Sequence, residues 1–169
     1  MIEIVIALAL GTIVTGLVLS LFVVSFATWR RGSDIRQAQV QAAGIVDLIS
    51  RDVRAGSQIA GSVRPALEVE SGVVVLALRR TSLKEPGSGG DEDLPWVLYV
   101  FDQERQELRR ALAAFTRDDR LEVHESGIVG TGVRRVAITN LNAGITIDVE
   151  VRRGRSSARM RGAAAPQNP

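Results

Sequence analysis

Apolar residues run without interruption through the first part of the chain. No charged side chain occurs between Ile4 and Trp29, and Ile, Val, Leu, Ala and Phe dominate this stretch. About 20 such residues suffice for a helix to cross a bilayer core about 30 Å thick, whereas the apolar stretch of a secretory signal peptide has only about 7 to 15. The pattern predicts a transmembrane N-terminal helix over residues 1–29.

Beyond residue 29 the apolar positions become periodic. They recur at spacings of three and four with polar residues between them, which is typical of an amphipathic helix. This apolar stripe consists of Ile35, Ala38, Ala42, Ile45, Ile49 and Val53. No proline separates the two patterns, so we predict one long helix from Ile2 to Ala55, stopping at Gly56, in which residues 30–56 are the amphipathic continuation.

Runs of branched residues bounded by turn formers predict a head domain over residues 57–151. About four or five antiparallel strands are expected, at 66–78, 96–101, 107–111, 132–139 and 145–151. A helix with an apolar stripe needs a partner, and this small antiparallel β-sheet supplies one. The predicted fold class is therefore α+β, with the long helix packed on the sheet.

Two further segments are predicted to lack regular structure. Residues 84–93 form a polar, glycine-rich insertion, and residues 152–169 form a basic tail with no apolar period, which we expect to be disordered.

The first ten residues place one glutamate, Glu3, ahead of the apolar run. This segment resembles the N-terminal motif of mature type IV pilins and pseudopilins, Phe-Thr-Leu/Met-Ile/Val-Glu followed by an apolar helix. The basic leader and the Phe-Thr pair are absent, so the chain is expected to begin two residues inside the mature sequence. The long helix on a small sheet resembles the pilin architecture over the whole chain. Residues 29–31, the end of the helix and the strands at 99–110 are similar to J-type minor pseudopilins of type II secretion and to PilW-like minor pilins.

The resemblance implies a structural role in filament initiation or in a tip complex. A prepilin peptidase would act on the full-length precursor, the new N-terminus would be methylated, and Glu3 would pair with the N-terminal amine of the adjoining subunit. The implied partners are other pilin-like subunits, an inner-membrane assembly platform and the lipid bilayer. The implied location is the inner membrane, crossed once, with an extracytoplasmic head. Taken without the resemblance, Glu3 is also compatible with a carboxylate that simply lies in headgroup water.

Trp29, Arg30 and Arg31 follow the apolar run directly. An aromatic residue at headgroup depth with two guanidiniums beyond it is typical of a membrane interface anchor. By the positive-inside rule alone this arginine pair places the following domain in the cytoplasm, opposite to the orientation that the resemblance implies.

Composition argues against catalysis. The chain has no cysteine, which excludes disulfides, thiolate catalysis and cysteine-ligated metal sites. The single histidine, His124, is interpreted as solvated surface beside Ser126 and Gly127, which are expected to be flexible, and no Gly-x-Ser-x-Gly motif surrounds any serine. We therefore predict that the protein is not an enzyme and needs no cofactor.

Two charged clusters remain as candidate ligand sites. Asp91, Glu92 and Asp93 could offer oxygen ligands to calcium, although their spacing does not match an EF-hand. Arg152, Arg153 and Arg155 could contact nucleic-acid phosphates, as in a DNA-uptake pilin. No aromatic residue interleaves this segment to stack on bases, so a solvated or lipid-facing tail is favoured.

A different class of protein remains as an alternative to the pilin-like subunit. A non-pilin single-pass membrane protein with a small binding head would show the same apolar run followed by a small α+β domain.

Overall fold

The head of the molecule consists of two antiparallel sheets packed on one long helix. The computed structural model describes residues 2–59, 68–69, 72–80, 96–115, 121–141 and 144–166. Within these residues there is one helix, α1 (Ile2–Ala55), followed by nine strands: β1 (Gly56–Ile59), β2 (Glu68–Val69), β3 (Gly72–Arg80), β4 (Trp96–Asp102), β5 (Glu107–Phe115), β6 (Leu121–Thr131), β7 (Val133–Leu141), β8 (Gly144–Arg153) and β9 (Ser156–Ala164). The predicted α+β class is confirmed.

Helix α1 is continuous over 54 residues and ends where it was predicted to end, immediately before Gly56. Its second half buries one face against the head, through Ala38, Ala42, Ile45, Ile49, Ser50 and Val53. Ile35, predicted to begin this stripe, is instead 41% exposed. The head does reach this level of the helix, where Gly32, Ser33 and Asp34 are half-buried, but it leaves the side that carries Ile35 exposed.

The prediction of a single sheet with four or five strands was wrong. Sheet A has the order β1-β3-β4-β5-β6, with β2 paired to β3, and sheet B has the order β7-β8-β9. Among the strands that were not predicted, β6 and β9 lack the runs of branched residues by which strands are recognised. The strand predicted at 66–78 is divided into β2 and β3, which pair with each other.

Disorder of residues 152–169 was also a wrong prediction for the part that the structure describes. Strand β8 extends to Arg153, a turn follows, and β9 pairs with β8 from Ser156 to Ala164. Apart from Met160, the residues of β9 on the core side are small, and a methyl group added at Gly162 would lie 2.4 Å from Val46 Cγ1. Small residues let the helix approach closely, and they leave no apolar run in the sequence.

The main apolar core lies where α1 meets the sheets. Strands β8 and β9 supply much of the surface under the helix, and residues of β3, β4 and β5 complete the core. A second apolar cluster occupies the opposite face of sheet A and contains Ala77, Leu98, Val100, Ala111 and Ala113.

The chain crosses from sheet A to sheet B at Gly132, whose φ of 68° lies in the left-handed region. Two backbone hydrogen bonds hold this crossing: Arg152 N donates to Gly132 O at 2.8 Å, and Val133 N donates to Gln106 O at 2.8 Å. The crossing therefore ties the end of β8 to the β4–β5 turn.

Candidate assembly helix and its polar contacts

The first half of α1 is apolar and exposed on every side. All residues from Ile2 to Arg31 are exposed, among them three aromatic side chains and many branched ones. At 1.5 Å per residue, the stretch from Ile2 to Trp29 is about 40 Å long. The structure thus has one helix near the N-terminus that is long and apolar enough to cross a membrane.

Glu3 lies in the first turn of α1 and is exposed. Among the described residues it makes no ion pair or side-chain hydrogen bond, so the structure leaves its pairing role a prediction. The placement is still informative, because the next charged residue along the helix is Arg30. A neighbour that approaches the first turn meets one carboxylate on an otherwise apolar surface.

Aromatic contacts extend the predicted interface anchor beyond Trp29, Arg30 and Arg31. Phe22 and Phe26 stack with ring centroids 6.4 Å apart, and Phe26 stacks on Trp29 at 6.1 Å. Arg30 Cζ lies 4.7 Å from the centroid of Phe26, within range of a cation–π interaction. The aromatic residues are four and three residues apart, and this helical spacing is the sequence signal that predicts the stacking. Stacked aromatic rings next to a guanidinium are typical of the boundary between lipid and water.

A partly buried polar cluster joins the end of α1 to sheet A. Asp52 Oδ2 accepts hydrogen bonds from the Tyr99 hydroxyl at 2.7 Å and from Arg110 Nε at 2.7 Å. Burial raises the pKa of Tyr99 well above its ordinary value, and the Asp52 carboxylate adds to the shift. The hydrogen bond with Asp52 likewise raises the pKa of Arg110. Tyr99 therefore stays a neutral donor and Arg110 a cation, as a structural clamp requires.

The arginines of the supposed tail divide into two groups. Arg159 and Arg161 lie on β9 and both donate to Asp148 on β8. Arg152, Arg153 and Arg155 lie at the β8–β9 turn and are exposed. Arg152 Nε donates to Gly154 O at 3.0 Å, and Arg153 contacts Gln41 Oε1 at 3.4 Å. The three candidate phosphate-binding residues are thus brought together on a folded hairpin.

The stability of sheet B is expected to depend on pH through Asp148. The hydrogen bond from Arg159 is the main reason that the pKa of this carboxyl lies well below its usual value of 3.8. A carboxyl whose pKa is lower in the folded than in the unfolded chain stabilises the fold above the unfolded pKa, and this contribution is lost as the pH falls. We expect Asp148→Asn to lower the melting temperature near about pH 6, and the difference from wild type to shrink by about pH 2.5.

Thermal unfolding of both proteins across this range measures the effect. Arg159→Gln removes the main donor to Asp148 and is the matched variant. Its difference in melting temperature from wild type should shrink in the same way as the pH falls. A gap between Asp148→Asn and wild type that stays constant down to the lowest pH would contradict the assignment.

The structure brings no metal-binding set together in the part that it describes. There, no group of three or more His, Asp or Glu residues could hold a metal ion. The backbone of His124 lies in β6, but its side chain is outside the described residues, as are Asp91, Glu92 and Asp93. Ser126 and Gly127 were expected to be flexible but are strand residues, paired with Ala111 and Arg110 of β5.

Comparison with known proteins adds no further constraint: no protein-family model, curated protein or solved structure matches this chain.

Proposed function

We propose that this chain is a pilin-like subunit, a minor pseudopilin or minor pilin, which acts by assembly and not by catalysis. It resides in the inner membrane through the first half of α1 and joins other pilin-like subunits in a filament or tip complex, with its head outside the cytoplasm. The observation that carries the proposal is the continuity of α1, whose exposed apolar half runs without a break into a half that is packed beneath the head.

Helix α1 can move between the lipid bilayer and a bundle of similar helices. Its exposed half is satisfied equally by lipid and by a bundle of similar helices, because both surround it with apolar groups. Since the second half is buried against sheets A and B, a movement of the helix out of the bilayer moves the head with it. An assembly platform in the membrane can therefore act on the helix and reposition the whole subunit.

Glu3 sets the axial alignment of neighbouring helices in the assembly. A carboxylate that enters an apolar bundle is strongly disfavoured unless a cation meets it. The N-terminal amine of an adjoining subunit, released by a prepilin peptidase acting on the precursor, is a cation at the corresponding depth of the neighbouring helix. The pair forms at one axial offset, so it selects one arrangement of neighbouring helices.

The test is photo-crosslinking in native membranes. Because the chain has no cysteine, Leu10→Cys supplies a single thiol for a photoreactive group on the exposed apolar helix. We expect adducts whose second chain, identified by mass spectrometry, is another copy or another chain with a glutamate followed by an apolar helix. Adding Glu3→Ala should reduce these adducts at least about tenfold, with no loss of protein from the membrane fraction.

The matched control is Asp47→Ala, which removes an exposed carboxylate from the same helix beyond the membrane segment. It should leave the adducts unchanged. If the wild-type chain gives only lipid adducts, or if Glu3→Ala crosslinks as wild type does, the assembly proposal fails and a single-pass membrane protein with a binding head becomes the better description.

A further inference from the structure

The β8–β9 turn lies beside α1 just beyond the apolar segment. A methyl group added at Gly154 would be 2.9 Å from Asp34 Oδ2, so the turn and the helix are in close approach there. Asp34 follows Trp29 by five residues, which is about 7.5 Å along the helix axis. If Trp29 marks the boundary of the lipid, this turn is the part of sheet B that lies nearest to the membrane surface.

Arginines surround this point of close approach. Three lie at the turn and three lie on the adjoining part of α1, and all six are exposed. We call them the arginine collar: Arg30, Arg31, Arg36, Arg152, Arg153 and Arg155.

One carboxylate, that of Asp34, lies within the collar. Among the described residues, none of its arginines has a carboxylate oxygen within ion-pair distance, whereas Arg51, Arg110 and Arg159 are each paired. The acid nearest to the turn, Asp34, faces the backbone of Gly154. Six arginines and one carboxylate around the close approach of the turn to the helix therefore present a net positive surface.

A groove opens between α1 and the turn. It encloses about 380 Å³ and is lined by Arg36, Gln37, Val40, Gln41 and Arg153. Val40 is 73% exposed and forms an apolar wall, while the guanidiniums of Arg36 and Arg153 provide the charge. The two guanidiniums supply the charge that would attract a phosphate to this groove.

We propose that the arginine collar binds the phosphate groups of anionic phospholipids and thereby holds the head against the bilayer in which α1 is anchored. Guanidinium groups donate bidentate hydrogen bonds to phosphate, and basic segments beside a membrane are attracted to anionic lipid. The continuity of the collar with the apolar helix favours lipid as the occupant, because the helix itself brings the headgroups to this level. The inference rests on the membrane-spanning part of the proposed function but not on filament assembly.

The experiment uses the full chain in nanodiscs. Ser157→Cys places a single thiol on the exposed start of β9, and a fluorophore there is quenched by lipids that carry a nitroxide on the headgroup. We expect stronger quenching in discs that contain about one third phosphatidylglycerol than in discs of phosphatidylcholine alone. Raising the salt concentration should weaken the effect, because it screens the charges.

The variant pair is Arg153→Gln with Arg155→Gln, and its control is Arg51→Gln with Arg54→Gln. Both pairs remove two exposed arginines, but Arg51 lies more than about 30 Å beyond Trp29 along the helix. Each arginine is expected to contribute roughly fivefold to the equilibrium constant for docking of the head on the bilayer. The collar pair should therefore lower this constant about 25-fold, while the control pair should leave it unchanged. Equal quenching in the two kinds of disc, or equal loss from the two variant pairs, would overturn the proposal.

Two further measurements separate the causes of failure. A fluorophore at Val14→Cys must be shielded from aqueous quenchers; if it is not, α1 does not span the disc and the inference falls with that premise. A short DNA duplex serves as the probe for the rival partner. If the collar pair of variants weakens DNA binding but not the quenching in anionic discs, the arginines serve nucleic acid and the lipid proposal is wrong.

Discussion

Asp52→Ala is expected to lower the free energy of unfolding of the head by about 2 to 3 kcal/mol. The carboxylate accepts from Tyr99, which is fully buried, and from Arg110, whose side chain is 27% exposed. Without Asp52, both donors remain in their protein environment with this acceptor gone, and water reaches them only partly. Asp52 accepts from two donors at once, and one of these hydrogen bonds is charge-assisted. The loss in unfolding free energy is therefore expected to be larger than for an exposed ion pair.

The measurement is thermal or urea unfolding in detergent micelles, followed by the fluorescence of Trp96 in a Trp29→Phe background. Asp47→Ala is the matched control, because Asp47 pairs with Arg51 at 2.7 Å on the same helix but both side chains are exposed. Its expected cost is about 0.5 kcal/mol or less. Similar losses for the two variants would show that the Asp52 cluster is no stronger than a surface contact.

A double-mutant cycle tests whether the cluster acts as a unit. Tyr99→Phe alone removes one donor and leaves the pair of Asp52 with Arg110 intact. Because both changes delete the same hydrogen bond, their combined cost should be smaller than the sum by about 1 kcal/mol. Additive costs would mean that Tyr99 and Asp52 stabilise the head independently.

The parts of the fold that were predictable are those with local sequence signals. The uninterrupted apolar run and the three-to-four spacing from Ala38 to Val53 predicted α1. Both patterns involve only residues within one or two helical turns of each other. The hairpin of β7 and β8 was predictable for the same reason, because a turn-forming segment separates two branched runs. Ile35 was misplaced because its exposure depends on which side of the helix the head covers, which no local pattern encodes.

The parts that were missed depend on contacts between distant residues. Asp52 is 47 residues from Tyr99 and 58 from Arg110, so nothing in the local pattern relates them. Strand β9 was predicted to be a disordered tail because its inward positions, apart from Met160, are the small residues Ala158, Gly162 and Ala164. In the sequence, Arg159 and Arg161 also resemble a solvated basic run, and only the pairing with β8 brings both of them to Asp148. Small inward residues and paired outward charges are a strand pattern only when the neighbouring helix and strand are known.

Gly132→Ala is expected to destabilise the head by about 2 to 4 kcal/mol. The φ of 68° at this position is costly for any residue with a Cβ atom. A methyl group there would also lie 2.5 Å from the carbonyl oxygen of Arg152, a backbone atom that cannot rotate away. Relief requires β8 to move, and that movement breaks the hydrogen bond from Arg152 N to Gly132 O.

Gly127→Ala is the control, since Gly127 lies on exposed β6 and has no atom within 4 Å of an added methyl group. Its unfolding free energy should stay within about 0.5 kcal/mol of wild type. Hydrogen exchange locates the damage: in Gly132→Ala the amides of Arg152 and Val133 should exchange faster, because their acceptors lie at the crossing and at Gln106. Wild-type stability in Gly132→Ala would mean that the two sheets are not held at this crossing. The loss that we expect would show that the conformation of Gly132 holds the two sheets together at the end of β8, next to the turn that carries three of the six collar arginines.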